Sequence, residues 1–351
     1  MKIYINELSH KISKLKQIVP KNSPMPVLQG ILVQDGYLIA NSIDIAMKAK
    51  IEGTEGESFI IPIKAFDILN NLPEGEVKIT PENKGEYFSI VIETDRIKNR
   101  YQTMNPSAFP LPDIGVDDGE KFTISADTFL SSVKRVAFAI SIDKSKRVLS
   151  SMYLKAENGT LDFVGSNGYV AAWDKVDFDG NFKLLIPKEA VDRLLSIGIS
   201  GEVSITHSKN GAVFTTDEYE LHTRVTNGEY IDYIRMFKDL SIHTAVSKSE
   251  LLDAMIRTKM CRSEKTPAIF YVKDNKMDIT LKDSITEYRE TINLRDNARE
   301  IRIGFDSRFV AETLKAFSCE NVVVEFENPH YPMIIKSESG TFKTMVMAVM
   351  I

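Results

Sequence analysis

The chain has 351 residues, 43% of them apolar and 26% charged, with a formal net charge of −5. This is an ordinary globular composition on a chain too long for one typical core, so two or three domains are expected. No apolar run approaches membrane-spanning length and "MKIYINELSHKISKLK" lacks a signal-peptide block, so a cytoplasmic protein with no membrane partner is expected.

In chain order, the first predicted element is a short strand running into an amphipathic helix, "IYINELSHKISKLKQIV" (3–19). A hairpin follows, "VLQGILVQDGYLIANSID", turning at Asp35-Gly36. Next comes a helix-turn-strand unit, "IIPIKAFDILNNLPEGEVKIT" (60–80), with Pro near the first helical position and a Gly turn at its end. A β segment, "NRYQTM", closes the set.

The same four elements then return. They are "FTISADTFLSSVKRVAFAI", "VLSSMYLKAENGTLDFVGSNG" (turn Asn158-Gly159), "LIPKEAVDRLLSIGISGEVSIT" and "ELHTRVT". A third set reads "TAVSKSELLDAMIRTKM", "PAIFYVKDNKMDITLKDSI" (turn Asn275-Lys276), "IGFDSRFVAETLKAFSCENVVVEF" and "FKTMVMAVMI". The helix anchors Leu8, Ile12 and Leu15 correspond to Phe129, Val133 and Val136, and to Leu251, Met255 and the weaker Thr258. Leu8 to Phe129 to Leu251 gives steps of 121 and 122, and Ile61 to Ile186 to Phe305 gives 125 and 119. A period this long exceeds solenoid repeats and lets each copy hold its own core. The expected fold class is therefore α+β: three repeated domains at 1–117, 118–241 and 242–351, each with two helices packed on antiparallel sheet.

Bulk charge alone argues against a nucleic-acid partner, but the charge is unevenly placed. The first helix of each copy, with its flanks, carries +3 (Glu7–Lys21), +1 (Ser125–Ala139) and +2 (Ser247–Arg262, counting Arg262), leaving −11 for the remainder. Lys14, Arg135 and Arg257 each sit six residues past the first apolar anchor, about 240° around the helix from the buried face. Solvated helix faces also place charge there; the sign bias against an acidic background is what favours a phosphate-facing lining. Lys11, Lys21, Lys134 and Lys259 lie near these positions, and the loop "DKSKR" adds Lys144, Lys146 and Arg147. Such cations contact phosphates without reading sequence.

No phosphate-binding Gly-rich loop, metal-ligand spacing or nucleophile cluster stands out. The two cysteines, Cys261 and Cys319, have neither metal nor disulfide-framework spacing, and the five His are scattered. No catalytic residue, metal or cofactor is expected.

In its order of elements and in "LPEGEVKI", "NPSAFPLPD", "VGSNGYVAAW", "GEYIDYIRMF" and "IGFDSRFVAETLKAFSCENVVVEF", the whole chain resembles the bacterial sliding clamp, the beta subunit of DNA polymerase III. The resemblance implies a non-catalytic processivity factor of DNA replication: a homodimer closed head-to-tail as a ring around double-stranded DNA, without sequence preference. It implies as partners the polymerase alpha subunit, the clamp loader and other proteins with a clamp-binding motif. Matching positions place a hydrophobic peptide groove at Leu149, Ser166, Gly168, Tyr169, Val170 and Ala171, with Met345, Val346, Met347 and Val349 from the tail. They place the dimer interface at Tyr101, Met260 and Cys261. The chain departs from the family pattern at Asn167-Gly168-Tyr169-Val170-Ala171, where Asp-Gly-His-Arg-Leu is frequent, and in its tail. A clamp-fold scaffold that does not encircle DNA is the alternative.

Overall fold

A computed structural model of the chain describes residues 1–113, 115–116, 119–261 and 266–351. The expected boundary between Asp117 and Asp118 lies outside the described residues, as does Arg262.

The first copy runs β1 (Lys2–Tyr4), α1 (Ile5–Leu15), β2 (Gly30–Gln34), β3 (Tyr37–Asn41), β4 (Ile45–Lys50), β5 (Ser58–Pro62), α2 (Phe66–Leu69), β6 (Glu76–Lys84), β7 (Tyr87–Glu93) and β8 (Lys98–Thr103). The second repeats that order: β9 (Glu120–Ser125), α3 (Ala126–Ala137), β10 (Ser151–Glu157), β11 (Thr160–Ser166), β12 (Val170–Asp177), β13 (Phe182–Pro187), α4 (Lys188–Ile197), β14 (Glu202–His207), β15 (Gly211–Thr215) and β16 (Tyr219–Arg224). After α5 (Tyr233–Met236) the third copy has β17 (Ile242–Ser247), α6 (Lys248–Cys261), β18 (Ala268–Lys282), β19 (Glu287–Phe305), α7 (Ser307–Lys315), β20 (Asn321–Phe326), β21 (Met333–Ser337), β22 (Phe342–Val346) and β23 (Ala348–Val349). Mixed helix and antiparallel sheet, repeated, is the α+β class expected.

The sheets do not respect the copies. One eight-stranded sheet has the order β5-β2-β3-β4-β16-β15-β14-β9, joining four strands of the first copy to the second copy's first strand and its last three. The other, β13-β10-β11-β12-β22-β21-β20-β17, joins the second copy to the third in the same order. Two smaller sheets remain, β1-β6-β7-β8 and β18-β19-β23. The chain accordingly divides into two compact units, Met1–Asp127 with Asp192–Val225, and Thr128–Val191 with Thr226–Ile351.

In the first unit, Leu8, Ile12 and Leu15 of α1 are fully buried with Phe59, Ile61 and Phe66. α2 is only one turn, preceded by a 3₁₀ turn at Ile63–Ala65, where the sequence suggests a longer helix. Asn70 and Asn71 end it, and the Asn71 amide donates to the Asp67 carbonyl at 2.7 Å. In the second unit, Val133 and Val136 are buried beside Phe129, which meets Phe163 edge-on at 5.7 Å. Leu251, Met255 and Thr258 of α6 are fully buried too. Thr258 is tolerated because its hydroxyl donates to the Ala254 carbonyl one turn back, at 2.7 Å. Among the described residues no helix is long and apolar enough to cross a membrane.

Candidate functional site

The second unit holds all ten residues expected for the groove. Between β11 and β12 the chain reverses at Asn167–Tyr169. Asn167 N–H donates to the Val170 carbonyl at 3.1 Å, and its side-chain Oδ1 accepts from Tyr169 and Val170 N–H at 2.9 Å each. Gly168 takes a φ of +92°, which is why a glycine stands there. Ser166 is buried and closes the turn, its hydroxyl donating to the Val170 carbonyl at 3.1 Å. β12 then pairs with β22, Val170 opposite Val346 and Ala171 opposite Met345.

These four paired side chains are buried in the sheet, so the accessible surface comes from the flanks. Tyr169 is 58% exposed, and Met347 and Gly168 are exposed, while Leu149 and Val349 are half-buried. Met347 N–H donates to the Tyr169 carbonyl at 2.9 Å, extending the ladder one step past β22. The Tyr169 ring stacks on Phe309 of α7 at 5.6 Å, and the Lys146 ammonium lies 5.9 Å from it. The tail is then held by β23, which pairs Ala348 and Val349 with Phe305 and Gly304. A Cβ on Gly304 would lie 2.4 Å from Ile351 Cγ2 and 2.8 Å from the Val349 carbonyl, so only glycine admits the tail. Together these residues make a small apolar step with an adaptable Met and an aromatic platform, suited to a hydrophobic peptide.

The cations fall into two kinds. Some are already spoken for. Lys14 donates to the Ser196 carbonyl in the last turn of α4 at 2.6 Å, and Lys11 pairs with Glu7 at 3.0 Å. Arg135 Nη1 lies 3.1 Å from Asp174 Oδ2, and the Asp174 side chain is 0% exposed. Arg257 Nε donates to Glu290 Oε2 at 3.0 Å, and its Nη2 reaches Oε1 at 2.5 Å. That pairing raises the Arg257 guanidinium still higher and holds the Glu290 carboxyl below its usual range.

Others have open heads. Lys21, Lys134, Lys144, Lys146, Arg147 and Lys259 are exposed, and among the described residues none forms an ion pair. The 143–147 loop is wound tightly: Asp143 Oδ1 accepts from the Ser145 amide and hydroxyl at 3.0 and 2.7 Å, which lowers its own pKa. Lys146 N–H donates to the Asp143 carbonyl at 3.0 Å, and the turn carries Lys144, Lys146 and Arg147 into solvent.

Of the expected interface residues, Tyr101 lies half-buried on β8, the last strand of its sheet. Met260 and Cys261 lie at the end of α6, and Met260 is exposed. The sequence reading did not single out Phe309, Asp174 or Glu290. Asp174 carried a signal: in "AAWDKV" it occupies an inward position of the strand alternation, where a carboxylate requires a partner.

The central-domain model of the DNA polymerase III beta subunit matches residues 123–232, and the C-terminal-domain model matches 237–350. A beta sliding clamp from Chlamydia pneumoniae is 26% identical over 97% of each chain, and one from Synechococcus elongatus is 22% identical over 94% of this chain and 93% of its own. A putative DNA polymerase III beta subunit from Eubacterium rectale superposes with a TM-score of 0.91 at 22% identity, covering 100% of this chain and 99% of that one. The Bacillus subtilis DNA polymerase sliding clamp does so with a TM-score of 0.91 at 19% identity, covering 100% and 98%. With two consecutive domain models of one family matched in order, and full-length relatives sharing the threefold fold, the chain belongs to the DNA polymerase III beta subunit family, the sliding clamps.

Proposed function

We propose that the protein is a processivity factor whose two copies close into a ring around duplex DNA. In this reading the ring tethers the polymerase alpha subunit, and docks the clamp loader and other partners, at the Tyr169–Met347 step. The observation that carries this reading is the way consecutive copies share sheets. Each eight-stranded sheet takes half its strands from one copy and half from the next, so each chain is left with two half-sheets at its ends. A second copy supplies what completes them, and equal joints between equal modules close on themselves.

The role needs no catalysis. Open-headed lysines and Arg147 attract phosphates without distinguishing bases, so every register along the duplex is nearly equal in energy and the ring slides. Retention is topological, and a tethered polymerase meets the primer end at a high effective concentration. Arg135 and Arg257 are already balanced by Asp174 and Glu290, so the weight of phosphate attraction falls on Lys134, Lys144, Lys146, Arg147 and Lys259.

The test is retention on DNA in high salt after loading. A ring stays on closed circular duplex and runs off the same duplex once linearised. Equal loss from both forms would instead favour the clamp-fold scaffold. For the groove, Tyr169→Ala should weaken binding of an alpha-subunit peptide about tenfold or more while the fold stays intact. Unchanged affinity would remove Tyr169 from the site.

A further inference from the structure

The joint between β4 and β16 and the joint between β12 and β22 lie in the same register, so each can be measured against the other. Ile45 stands opposite Thr223 in the first, and Val170 opposite Val346 in the second. Arg224 N–H donates to the Asp44 carbonyl at 3.0 Å in the first, and Met347 N–H to the Tyr169 carbonyl at 2.9 Å in the second. Further along, the corresponding pairs are Lys48–Glu220 and Trp173–Lys343. Beyond them Lys50 N–H donates to the Glu218 carbonyl at 2.9 Å, and Lys175 N–H to the Thr341 carbonyl at 3.2 Å. The first joint thus sets two lysines against two glutamates. The second sets a tryptophan and a lysine against a lysine and a threonine.

In the first joint the charge closes on itself, with Lys48 3.1 Å from Glu220. In the second it stays open. Lys175 and Lys343 are half-buried, each with its ammonium 5.3 Å from the Trp173 ring centroid, and among the described residues neither ammonium meets a carboxylate. Asp162, directly opposite Lys175, is buried and accepts instead from the Tyr233 hydroxyl at 2.5 Å. Asp239 and Glu325 each lie 2.6 Å from Lys336, which stands directly opposite Lys343. Asp177, two residues beyond Lys175, is exposed and pairs with neither lysine. Like charges facing each other across a ladder are destabilising. Burial, and then the Lys336 and Lys175 ammoniums, hold the Lys343 amine below its ordinary value. An anion laid over this row removes that cost.

We propose that this face of the second joint docks an acidic segment of a partner protein, an extended stretch whose alternate carboxylates meet Lys175 and Lys343. The first joint shows what such a segment supplies. Glu218 and Glu220 are two residues apart on one chain, the spacing that puts both carboxylates on one side of an extended backbone. Tyr233 and Phe237 already pack against the Trp173 ring at 5.2 and 5.6 Å. The ring therefore serves as a floor for the two ammoniums and not as a platform for a nucleic-acid base. This surface is separate from the Tyr169–Met347 step, which lies four residues away along each strand, about 13 Å.

Trp173 is the chain's single tryptophan, so its emission reports the site directly. With the full chain at low salt, a capped Ser-Glu-Ser-Glu-Ser-Glu peptide should change that emission saturably, and added salt should reverse the change. The same peptide with Gln for Glu should have no effect. Lys175→Gln or Lys343→Gln alone should raise the dissociation constant about fivefold. Lys343→Glu, which restores the charge pattern of the first joint, should abolish binding. Anisotropy of the Glu peptide carrying a dye reads binding independently of Trp173. No binding in either readout, equal binding of the Gln peptide, or unchanged affinity in the three variants overturns the proposal. Inorganic phosphate saturating the site at the same concentration as the peptide would make it a general anion patch and overturn the peptide assignment. Tighter, Lys343-dependent binding of oligodeoxythymidylate would overturn it in favour of a nucleic acid.

Discussion

The two completed joints share a register and differ in what cements it. Across β4 and β16 the bond is electrostatic: Lys48 lies 3.1 Å from Glu220, which also meets His222 at 3.1 Å. Across β12 and β22 it is aromatic on one face and ionic on the other. Trp173, the chain's single tryptophan, lies opposite Lys343, and both the Lys175 and Lys343 ammoniums sit 5.3 Å from its ring centroid. Tyr233 and Phe237 pack against the same ring at 5.2 and 5.6 Å. On the opposite face Asp174, opposite Phe342, holds Arg135. One backbone pattern thus tolerates unrelated side-chain chemistry, because ladder hydrogen bonds set the register and side chains tune its strength. It also explains why an exposed apolar step forms at one joint only. Asp44 and Arg224 occupy in the first joint the places that Tyr169 and Met347 take in the second, and they form a loose 3.8 Å ion pair instead of an apolar platform.

The largest effect belongs to the second joint. Arg135→Ala leaves Asp174 buried without its cation and should cost about 3 kcal/mol in chemical unfolding. A loss under about 0.5 kcal/mol would mean that water already satisfies the carboxylate. Gly304→Val comes next, at about 2 kcal/mol from overpacking against Ile351 and Val349. Faster amide exchange across 347–351, with the rest of the second unit unchanged, is the expected signature. The first joint should be distinguished by acid. His222, and then Lys48, hold the Glu220 carboxyl down to about 2. Because its folded value is depressed, this stabilisation is complete above the ordinary carboxylate value of about 4.3 and is lost as pH falls from there toward 2. Glu220→Gln should flatten that part of the stability–pH curve, by about 1 kcal/mol after screening. A control outside both joints is smallest: Lys14→Ala removes a cation from the last turn of α4 and should cost about 0.5 kcal/mol in the same unfolding measurement.

Much of this was legible in the sequence. Apolar anchors at helical spacing located α1, α3 and α6, and Asp35-Gly36 and Asn158-Gly159 turn where expected, with Asp35 at φ 48° and Asn158 at φ 55°. In the third copy the positive φ falls on Asp274, one residue before the expected Asn275-Lys276 turn. The sharing of sheets between copies was not legible, because alternation says which face of a strand is buried and nothing about which distant strand lies beside it. The helical wheel likewise placed Lys14, Arg135 and Arg257 off the core correctly in angle. It could not register Asp174 or Glu290, which approach from strands 39 and 33 residues away. The residues expected for the groove come together where β12 meets β22, yet Val170, Ala171, Met345 and Val346 turn inward and leave Tyr169 and Met347 as the exposed face.

The proposed ring needs joints that one chain cannot complete by itself. Sedimentation equilibrium of the full chain at micromolar concentration tests this most directly. The account predicts a single species of twice the 39.6 kDa chain mass, and a monomer with its sheet edges open would contradict it.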